Sequence, residues 1–376
     1  MVVLIRCNDI VSDPRAMKYI KYLRDNRQEY LLIGWDREGN MPDAEDTIYY
    51  RRHAGYSVGG FKAVINRIKW MFFVLKTLIR LNLQKSVIHA CDLDASFPVV
   101  VYNFFISKKK KSIFIFDVFD WFSATLYNQN IIVLTAFKIM EWLSVKKADY
   151  IILCEPERIE QIPFKVKDDK LLVLPNIPFF EDRQFLKREN KYLFNNNLIT
   201  FAYVGGFAQS RCINEIISIA EDGRINLLIA GYGNKQIEDR LFTLKKCPNI
   251  KYYGKVKYTD GLCIMYNADI VYAMYSKSNP NHIYAAPNKY YEALFLGKPL
   301  FTTKGTIVEK KVISNNIGYI SEESKEEIVS VIDTIDVENI ENYGRTAGNL
   351  WHKTFSTFTF DFLCNNYQKI LMNNLK

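Results

Sequence analysis

The sequence predicts an α/β protein made of two doubly wound parallel-sheet domains that face each other across a cleft. Short apolar runs alternate with helical patterns along both halves of the chain, an order that builds parallel sheets with helical crossovers. The runs are apolar throughout rather than at alternate positions, as expected of strands buried on both faces. A chain of 376 residues is long enough for two cores of ~150 residues each.

The first half carries six predicted strands, over 2–7, 29–35, 86–92, 112–118, 149–155 and 171–176. The helical patterns between them cover 14–25, 61–82, 95–107, 131–147 and 155–161. Because a helical pattern follows nearly every strand, this half is expected to form one parallel sheet with right-handed crossovers.

A charged, aromatic and asparagine-rich segment, 177–198, then interrupts the rhythm and marks a domain boundary. The pattern restarts with strands predicted over 199–206, 225–231, 250–256, 268–275, 298–303 and 317–320. Its helical patterns cover 210–221, 235–246, 260–267, 288–296 and 323–333. We therefore predict two Rossmann-like domains, 1–180 and 199–350, with 351–376 as a C-terminal helix that packs back on the first domain.

Positive charge is concentrated in one window of the first half. The chain carries a net charge of +9, and residues 62–111 hold ten lysines and arginines against two aspartates. An anionic partner is expected here: lipid headgroups, a phosphate-bearing substrate or nucleic acid. The helix predicted over 61–82 interleaves cations with bulky apolar residues, namely Lys62, Arg67, Lys69, Lys76 and Arg80 with Trp70, Met71, Phe72 and Phe73. Such a helix is typical of a membrane interface or of ordinary packing on a sheet, and both interpretations stay open.

The cysteines and histidines predict neither disulfides nor a metal centre. Seven scattered cysteines include no C-x-x-C pair, and the four histidines lack helical metal-ligand spacing, which indicates buried thiols in a reducing compartment. The first run, MVVLIRCND, reads as a buried strand rather than a signal peptide. No apolar stretch approaches the ~18–20 residues that span a bilayer. We expect a cytoplasmic protein, with a peripheral position on the inner face of the membrane if the basic window binds lipid.

The stretch YVGGFAQSRC (203–212) places two glycines and an arginine after a buried strand. Gly205 and Gly206 would let a phosphate approach the backbone, and N–H groups at a helix start attract anions. Arg211 would add a permanent charge with forked donors. Gly231, in LLIAGYGN (227–234), follows the same logic. Both stretches are equally typical of a plain strand–turn–helix, so alone they do not decide between structure and function.

The stretch YAAPNKYYEALFLGKPLF (284–301) holds a single acid, Glu292, inside a short helical run. Pro287 sets φ and Asn288 is a capping residue, so the helix is predicted to begin there. Glu292 either complements the positive end of the helix dipole or accepts hydrogen bonds from two hydroxyl groups, as on a ribose. Lys289 beside it would then offset phosphate charge.

In order and spacing, these stretches resemble the donor-binding half of the GT-B glycosyltransferases, and most nearly the retaining family 4 that builds bacterial capsules and O-antigens. The motifs are YVGGF…R, LLIAGYGN, YYGKV, NADIVYAMY and APNKYYEALFLGKPLF. The resemblance extends more weakly into the first half through SDPRAMKYIKYL (12–23), VIHACDLDA (87–95) and FIFDVFDWFS (114–123). It therefore covers most of the chain.

The resemblance implies a role for each donor-side residue. Glu292 would bind the donor ribose, while Arg211 and Lys289, with backbone N–H groups near Asn288, would hold the diphosphate. The backbone around Val256 would meet the nucleobase. The donor would be a UDP- or GDP-sugar, which is a substrate, so neither a cofactor nor a metal is expected.

On the acceptor side, the resemblance implies a lining made of Asp13, Arg15, Asp92, Asp94 and Asp120. We take Asp92 and Asp120, together with Arg211, as the catalytic candidates, because an inverting reaction would need a carboxylate base near the acceptor hydroxyl. The DLD run at 92–94 matches a metal-binding D-x-D. It lies in the acceptor half, so we interpret the match as a coincidence.

Four positions depart from the family pattern. Tyr284 stands eight positions before Glu292, where a glutamate usually touches the donor sugar, so it is a substrate-contact candidate. Gly206 replaces an arginine of the glycine turn, and Cys91 and Phe119 replace histidines. These departures leave open the donor sugar and the choice between retention and inversion.

The leading hypothesis is a glycosyltransferase that extends a lipid-linked bacterial glycan at an anionic membrane surface, without nucleic acid as a partner. A nucleotide-sugar 2-epimerase of the same architecture is the alternative within the fold. A non-catalytic protein that binds an anionic polymer or membrane through 62–111 is the alternative from another class. A dehydrogenase is disfavoured because no G-x-G-x-x-G follows either first strand.

Overall fold

The structure is a computed structural model that describes residues 1–54, 60–106, 112–126, 130–180, 183–285 and 287–373, without the side chains of 60–62, 106 and 373. The chain divides into two compact units. The first unit is Met1–Pro175 with Thr357–Lys376, and the second unit is Asn176–Ser356. The predicted C-terminal segment 351–376 is thus shared, since its first six residues belong to the second unit.

The sheet of the first unit has seven parallel strands among the described residues, in the order β3-β2-β1-β4-β5-β6-β7. They are β1 (Val2–Arg6), β2 (Tyr30–Asp36), β3 (Thr47–Arg51), β4 (Val87–Cys91), β5 (Ile113–Val118), β6 (Tyr150–Leu153) and β7 (Leu171–Val173). The six predicted strands all occur. The seventh, β3, was missed because it is a half-buried edge strand, TIYYR, that lacks a continuous apolar run.

Five α-helices connect these strands within the part of the chain that the structure describes: α1 (Pro14–Asp25), α2 (Gly60–Leu81), α3 (Leu93–Ile106), α4 (Phe122–Thr125) and α5 (Ile131–Lys147). The start of α1 follows from its sequence, because Pro14 fits the first turn and the Asp13 carboxylate accepts hydrogen bonds from two N–H groups of that turn. The predicted helix 155–161 is instead a 3₁₀ turn, Pro156–Gln161.

The second unit has a six-stranded parallel sheet in the order β10-β9-β8-β11-β12-β13 among the described residues. Its strands are β8 (Thr200–Gly206), β9 (Asn226–Tyr232), β10 (Ile250–Tyr252), β11 (Ile270–Ala273), β12 (Leu300–Thr303) and β13 (Gly318–Ser321). Its α-helices are α6 (Ile213–Glu221), α7 (Lys235–Thr243), α8 (Tyr258–Tyr266), α9 (Pro280–Ile283), α10 (Asn288–Leu296), α11 (Ile307–Asn315), α12 (Lys325–Ile332) and α13 (Val337–Leu350). The chain then returns to the first unit through α14 (Phe358–Phe362) and α15 (Gln368–Asn373).

Strand order reverses once in each sheet, between β1 and β4 and between β8 and β11. At such a switch point the loops after neighbouring strands lead to opposite faces, which leaves a crevice at the carboxyl ends of the strands. The predicted site residues of each unit follow strands at or beside these reversals, so the topology explains why they come together.

Helix α10 differs in two respects from its predicted form. Its N-cap is Pro287, which makes no side-chain cap, so Asn288 is the first helical residue and does not cap the helix. The helix is also buried on all sides, from Tyr290 through Leu296, which places Glu292 inside the unit rather than on a solvated face. Gly297 ends it with φ +62°, a left-handed conformation that favours glycine.

None of the described helices combines the length and apolarity needed to cross a membrane.

Candidate functional site

Two of the predicted glycines, Gly231 and Gly206, differ in how closely their surroundings pack. A Cβ at Gly231 would overlap the carbonyl oxygen of Gly205 on the neighbouring strand and lie 2.7 Å from a ring atom of Phe207. Glycine is therefore required at 231 by the close approach of two strands. A Cβ at Gly206 would meet nothing within 4 Å. Glycine at 206 has no packing reason, and it leaves open space in front of the end of β8.

Glu292 and Lys289 form a tight pair beside this strand end. Glu292 is buried, and its Oε2 accepts a hydrogen bond from Lys289 Nζ at 2.6 Å. Its Oε1 is also buried and makes no hydrogen bond of good geometry among the described residues, although the phenol of Tyr258 lies beside this carboxylate. Lys289 reaches the glycine turn, because a Cβ built on Gly205 would lie 4.0 Å from Lys289 Cε. The pair thus leaves one buried carboxylate oxygen without a donor, beside a lysine that reaches the end of β8.

Arg211 lies in a 3₁₀ turn before α6, and its guanidinium stacks 4.1 Å above the ring of Tyr275. Burial raises the pKa of Tyr275 to about 12, against the lowering effect of Arg211 and with a further contribution from Glu292. Arg211 and Glu292, both predicted to bind the ligand, therefore both act on the hydroxyl group of Tyr275. Burial, then the charge of Glu292 and the hydrogen-bonding contact with its carboxylate, also hold the pKa of Tyr258 well above its usual range.

The first turn of α10 contributes backbone donors to the same region. Pro287 provides no side-chain cap, so the N–H groups that open the helix are not taken up by its N-cap residue. Asn288 and Lys289 carry the first of these N–H groups, while that of Tyr290 donates to Pro287 O at 3.1 Å. An uncapped helix start of this kind favours an anionic ligand.

Val256 and Tyr284 lie on loops around the same sheet edge. Val256 precedes α8, and its side chain lies 3.8 Å from where a Cβ of Gly261 would stand. Tyr284 ends α9 and is half-buried, and its N–H donates to the carbonyl of His282. The nucleobase role of Val256 and the sugar role of Tyr284 stay predictions.

His282 is a residue of this region that sequence reasoning missed. It is buried, its Nδ1 lies 2.9 Å from Ser276 O, and its ring packs edge-on against Tyr275 at 5.7 Å. It therefore shares the phenol above which Arg211 stacks. Its spacing to other histidines carries no signal, and only the turn between β11 and α9 brings it here.

In the first unit, Arg6 forms ion pairs with two of the predicted acids, Asp13 and Asp92. Its Nε donates to Asp13 at 2.9 Å, and its Nη1 pairs with Asp92. The other oxygen of Asp92 accepts from the N–H groups of Phe119 at 2.9 Å and Asp120 at 3.3 Å. Burial raises the pKa of Asp92 to about 6, although Arg6 opposes the rise. Asp92 thus uses both oxygens to hold the loop after β5.

Asp120 has a different environment from the other acids. Its side chain is 60% exposed, and its carboxylate accepts from Arg158 Nη2 at 3.0 Å. Arg158 is only 2% exposed and also donates to Gln161 at 3.1 Å. A buried guanidinium therefore orients an accessible carboxylate. Arg158 was not a predicted site residue, because in the sequence it lies in an unremarkable helical pattern.

Asp94 is buried and pairs with Arg67 of α2 at 2.5 Å. Its Oδ1 is buried without a hydrogen-bond partner among the described residues. The guanidinium of Arg67 also stacks 4.5 Å above Phe122. Arg67 was predicted as one of the cations of a membrane-facing helix, but its charge is directed inward to Asp94.

Arg15 takes part in a buried network centred on Asp117. It donates to Asp117 at 2.7 Å, and Tyr19 donates to the same carboxylate at 2.8 Å. His89 Nε2 lies 3.3 Å from Asp117, while its Nδ1 lies 3.1 Å from the hydroxyl of Tyr367 in the C-terminal segment. Arg15 is 4% exposed, so its surroundings fit the holding of these elements together. Its acceptor role stays a prediction.

His89, Cys91 and Asp117 place one potential metal-ligand atom each within 4.8 Å of one another. The carboxylate already accepts from Arg15 and Tyr19, so the guanidinium charge would repel a cation. Burial raises the pKa of the Cys91 thiol well above its usual range. Asp117 is therefore best described as the centre of a buried network that holds Arg15, Tyr19 and His89.

Two parallel-sheet α/β units of this kind are the architecture of the GT-B fold. Solved structures of that class match the chain. Sucrose-phosphate synthase from Thermosynechococcus elongatus has a TM-score of 0.68 at 12% identity, over 99% of this chain and 96% of that chain. WaaG, a glycosyltransferase involved in lipopolysaccharide biosynthesis, has a TM-score of 0.62 at 12% identity, over 94% and 96%.

A UDP-GlcNAc 2-epimerase from Methanocaldococcus jannaschii, in complex with UDP-GlcNAc and UDP, has a TM-score of 0.58 at 12% identity, over 94% of this chain and 99% of that chain. At these identities the likeness establishes the fold. No protein-family model matches the sequence, and no curated protein matches it.

Proposed function

We propose that this protein is a metal-independent hexosyltransferase that moves a sugar from a UDP- or GDP-sugar to a lipid-linked glycan acceptor in bacterial surface polysaccharide synthesis, with retention at the anomeric carbon. The observation that carries the proposal is the buried carboxylate of Glu292, with one oxygen on Lys289 and the other without a donor in the described structure. A buried acceptor without a partner costs ~1–3 kcal/mol. A ribose hydroxyl that donates to this oxygen would remove that cost.

In the proposed transfer, the bond between the anomeric carbon and the diphosphate oxygen breaks while a bond to the acceptor hydroxyl oxygen forms. Negative charge grows on the leaving diphosphate. Arg211, Lys289 and the uncapped N–H groups at the start of α10 offset this charge. The open space beside Gly206 gives the phosphates access to the backbone.

The acceptor proton passes to the departing phosphate oxygen if configuration is retained, or to a carboxylate base if it is inverted. Asp120 is the acid that suits the second role, because its carboxylate is accessible. Asp92 and Asp94 are less suited, since each is engaged in a buried ion pair.

The test is a nucleotide-sugar hydrolysis panel with the wild type, Glu292→Gln and the control Glu326→Ala, an exposed acid on α12. We expect one donor to be hydrolysed above background, and Glu292→Gln to raise its KM at least tenfold while the control stays at wild type. The ribose role is wrong if Glu292→Gln matches the wild type on that donor at equal thermal stability.

A nucleotide-sugar 2-epimerase is the second candidate, and the position of His282 against Tyr275 favours it. An epimerase inverts the 2-carbon of the donor without any acceptor. Incubation of the protein with UDP-GlcNAc alone, followed by NMR of the sugar, separates the two activities. Formation of a 2-epimer would refute glycosyl transfer as the principal reaction.

A non-catalytic binder of anionic polymer is the third candidate. Such a protein should gain no thermal stability from UDP, GDP or ADP. A glycosyltransferase should respond to one of them, by about 2.7 kcal/mol when the nucleotide is present at a hundred times its Kd.

A further inference from the structure

Helices α2, α3 and α5 pack side by side in the first unit, and their outward positions carry large apolar side chains. We call this surface the outer face. Its apolar members are between 40% and 77% exposed: Ile68, Phe72 and Ile79 on α2, Phe104 and Phe105 on α3, and Ile131, Ile132, Ile139 and Trp142 on α5. Nine of the 21 exposed large apolar side chains in the described structure therefore lie on these three helices, which are 22, 14 and 17 residues long.

The exposed charges of the outer face all have one sign. The three helices contain two acids, Asp94 and Glu141, and both are buried. Asp94 pairs with Arg67, and Glu141 accepts from the N–H of Ser123 at 2.8 Å. The exposed charged residues of the three helices, among their described side chains, are Lys69, Lys76, Arg80, Lys138, Lys146 and Lys147. A merely solvated surface would mix the two signs.

We propose that the outer face docks on an anionic lipid bilayer. Aromatic and branched side chains among lysines are what a helix needs to lie at the boundary between headgroups and acyl chains. The lysines add attraction to anionic headgroups. A second copy of this chain fits less well, because two such faces would oppose cations with no acid to pair them.

The outer face corrects and extends the stretch predicted to bind membrane, 62–111. Trp70 is removed, because it is fully buried and stacks on Trp35 at 5.9 Å. Arg67 is removed because it pairs with Asp94. Helix α5 is added because four of its large apolar side chains are exposed. The lysine run 108–111 lies outside the described residues.

The outer face is linked to a predicted acceptor residue, since Arg67 joins α2 to Asp94. A bilayer that meets α2 would hold a lipid-linked acceptor near that acid. Only this link rests on the proposed glycosyl transfer, because binding to lipid requires no reaction.

Flotation of the full chain with vesicles tests the proposal. The vesicles are phosphatidylcholine alone, or phosphatidylcholine and phosphatidylglycerol in equal parts, each at low and high salt. We expect binding to the anionic vesicles at low salt and weaker binding at high salt. Lys138→Glu with Lys146→Glu should weaken binding about fivefold for each lysine removed, and Ile132→Ser with Trp142→Ser about tenfold in total.

The matched controls are Phe242→Ser and Lys235→Glu, exposed residues of α7 in the second unit, which should bind as the wild type does. Equal loss in the controls, equal binding to both vesicles, or a dimer in gel filtration that the outer-face variants dissociate would overturn the proposal. The outer-face variants should keep donor hydrolysis. Lipid binding without hydrolysis of any donor would instead count against the proposed function alone.

Discussion

Gly206 is the last residue of β8 and Gly231 the last but one of the neighbouring β9, yet alanine at the two positions should have different effects. At Gly231, φ is +152° and a Cβ would overlap the backbone of Gly205. The unfavourable conformation costs ~1–2 kcal/mol and the overlap a further ~1–3 kcal/mol. Gly231→Ala should therefore destabilise the second unit by about 3 kcal/mol, which lowers its Tm by about 6–12 °C for a unit of this size.

At Gly206 a Cβ meets nothing within 4 Å, so Gly206→Ala should change stability by less than about 0.5 kcal/mol. If phosphates occupy the open space, the added methyl group displaces them from the backbone. Nucleotide affinity should then fall at least about tenfold, or 1.4 kcal/mol.

Thermal unfolding with and without UDP and GDP measures both effects in one assay. Gly231→Ala should lose stability, while Gly206→Ala should keep its stability and lose its increase in Tm with nucleotide. If Gly206→Ala has normal stability and a normal nucleotide response, the phosphates do not bind at the end of β8.

Three further predictions concern the first unit. Asp92→Asn should cost about 2–3 kcal/mol through its buried ion pair, and Asp120→Asn should cost less, because the Asp120 carboxylate that pairs with Arg158 is 60% exposed; equal Tm losses would contradict the distinction. Because Asp120 belongs to the predicted acceptor lining, Asp120→Asn should also lower transfer to acceptor without changing donor hydrolysis. Burial raises the pKa of Glu141 to about 7 from an ordinary value of 4.5, so the folded state binds the extra proton and stability should fall by about 3 kcal/mol as pH rises through that interval. Glu141→Gln should abolish this slope in urea unfolding at several pH values, and an unchanged slope would show that another group titrates. Tyr367→Phe removes the hydroxyl contact to His89 and should speed proteolysis of the C-terminal segment through a loss of about 1 kcal/mol; a cleavage rate equal to wild type would refute it.

The sequence predicted the fold because continuous apolar runs and helical patterns are local signals. Strands β1 and β8 begin within one residue of the predicted positions, and the reason is that burial on both faces demands uninterrupted apolar residues. Strand β3 was missed, since an edge strand keeps one face near solvent and carries no such run.

The donor side was predictable in its composition but not in its contacts. Glycine turns and a lone acid stand out in a sequence. The distinction between Gly206, which borders open space, and Gly231, which a neighbouring strand requires, depends on a backbone distance across the sheet. His282 could not be predicted as part of the candidate donor site, because only the turn after β11 places it against Tyr275.

The sequence alone thus determined the two parallel sheets, the order of their elements, and the residue types at the ends of the strands, because these follow from hydrophobic pattern and turn chemistry. The tertiary structure decided which charges are engaged and which are accessible. Asp92 and Asp120 are indistinguishable in the sequence. In the structure, Asp92 is held by Arg6 and two backbone N–H groups, whereas Asp120 is 60% exposed and pairs with the buried Arg158. Trp70 and Trp142 differ in the same way, since only packing decides which face of a helix meets solvent.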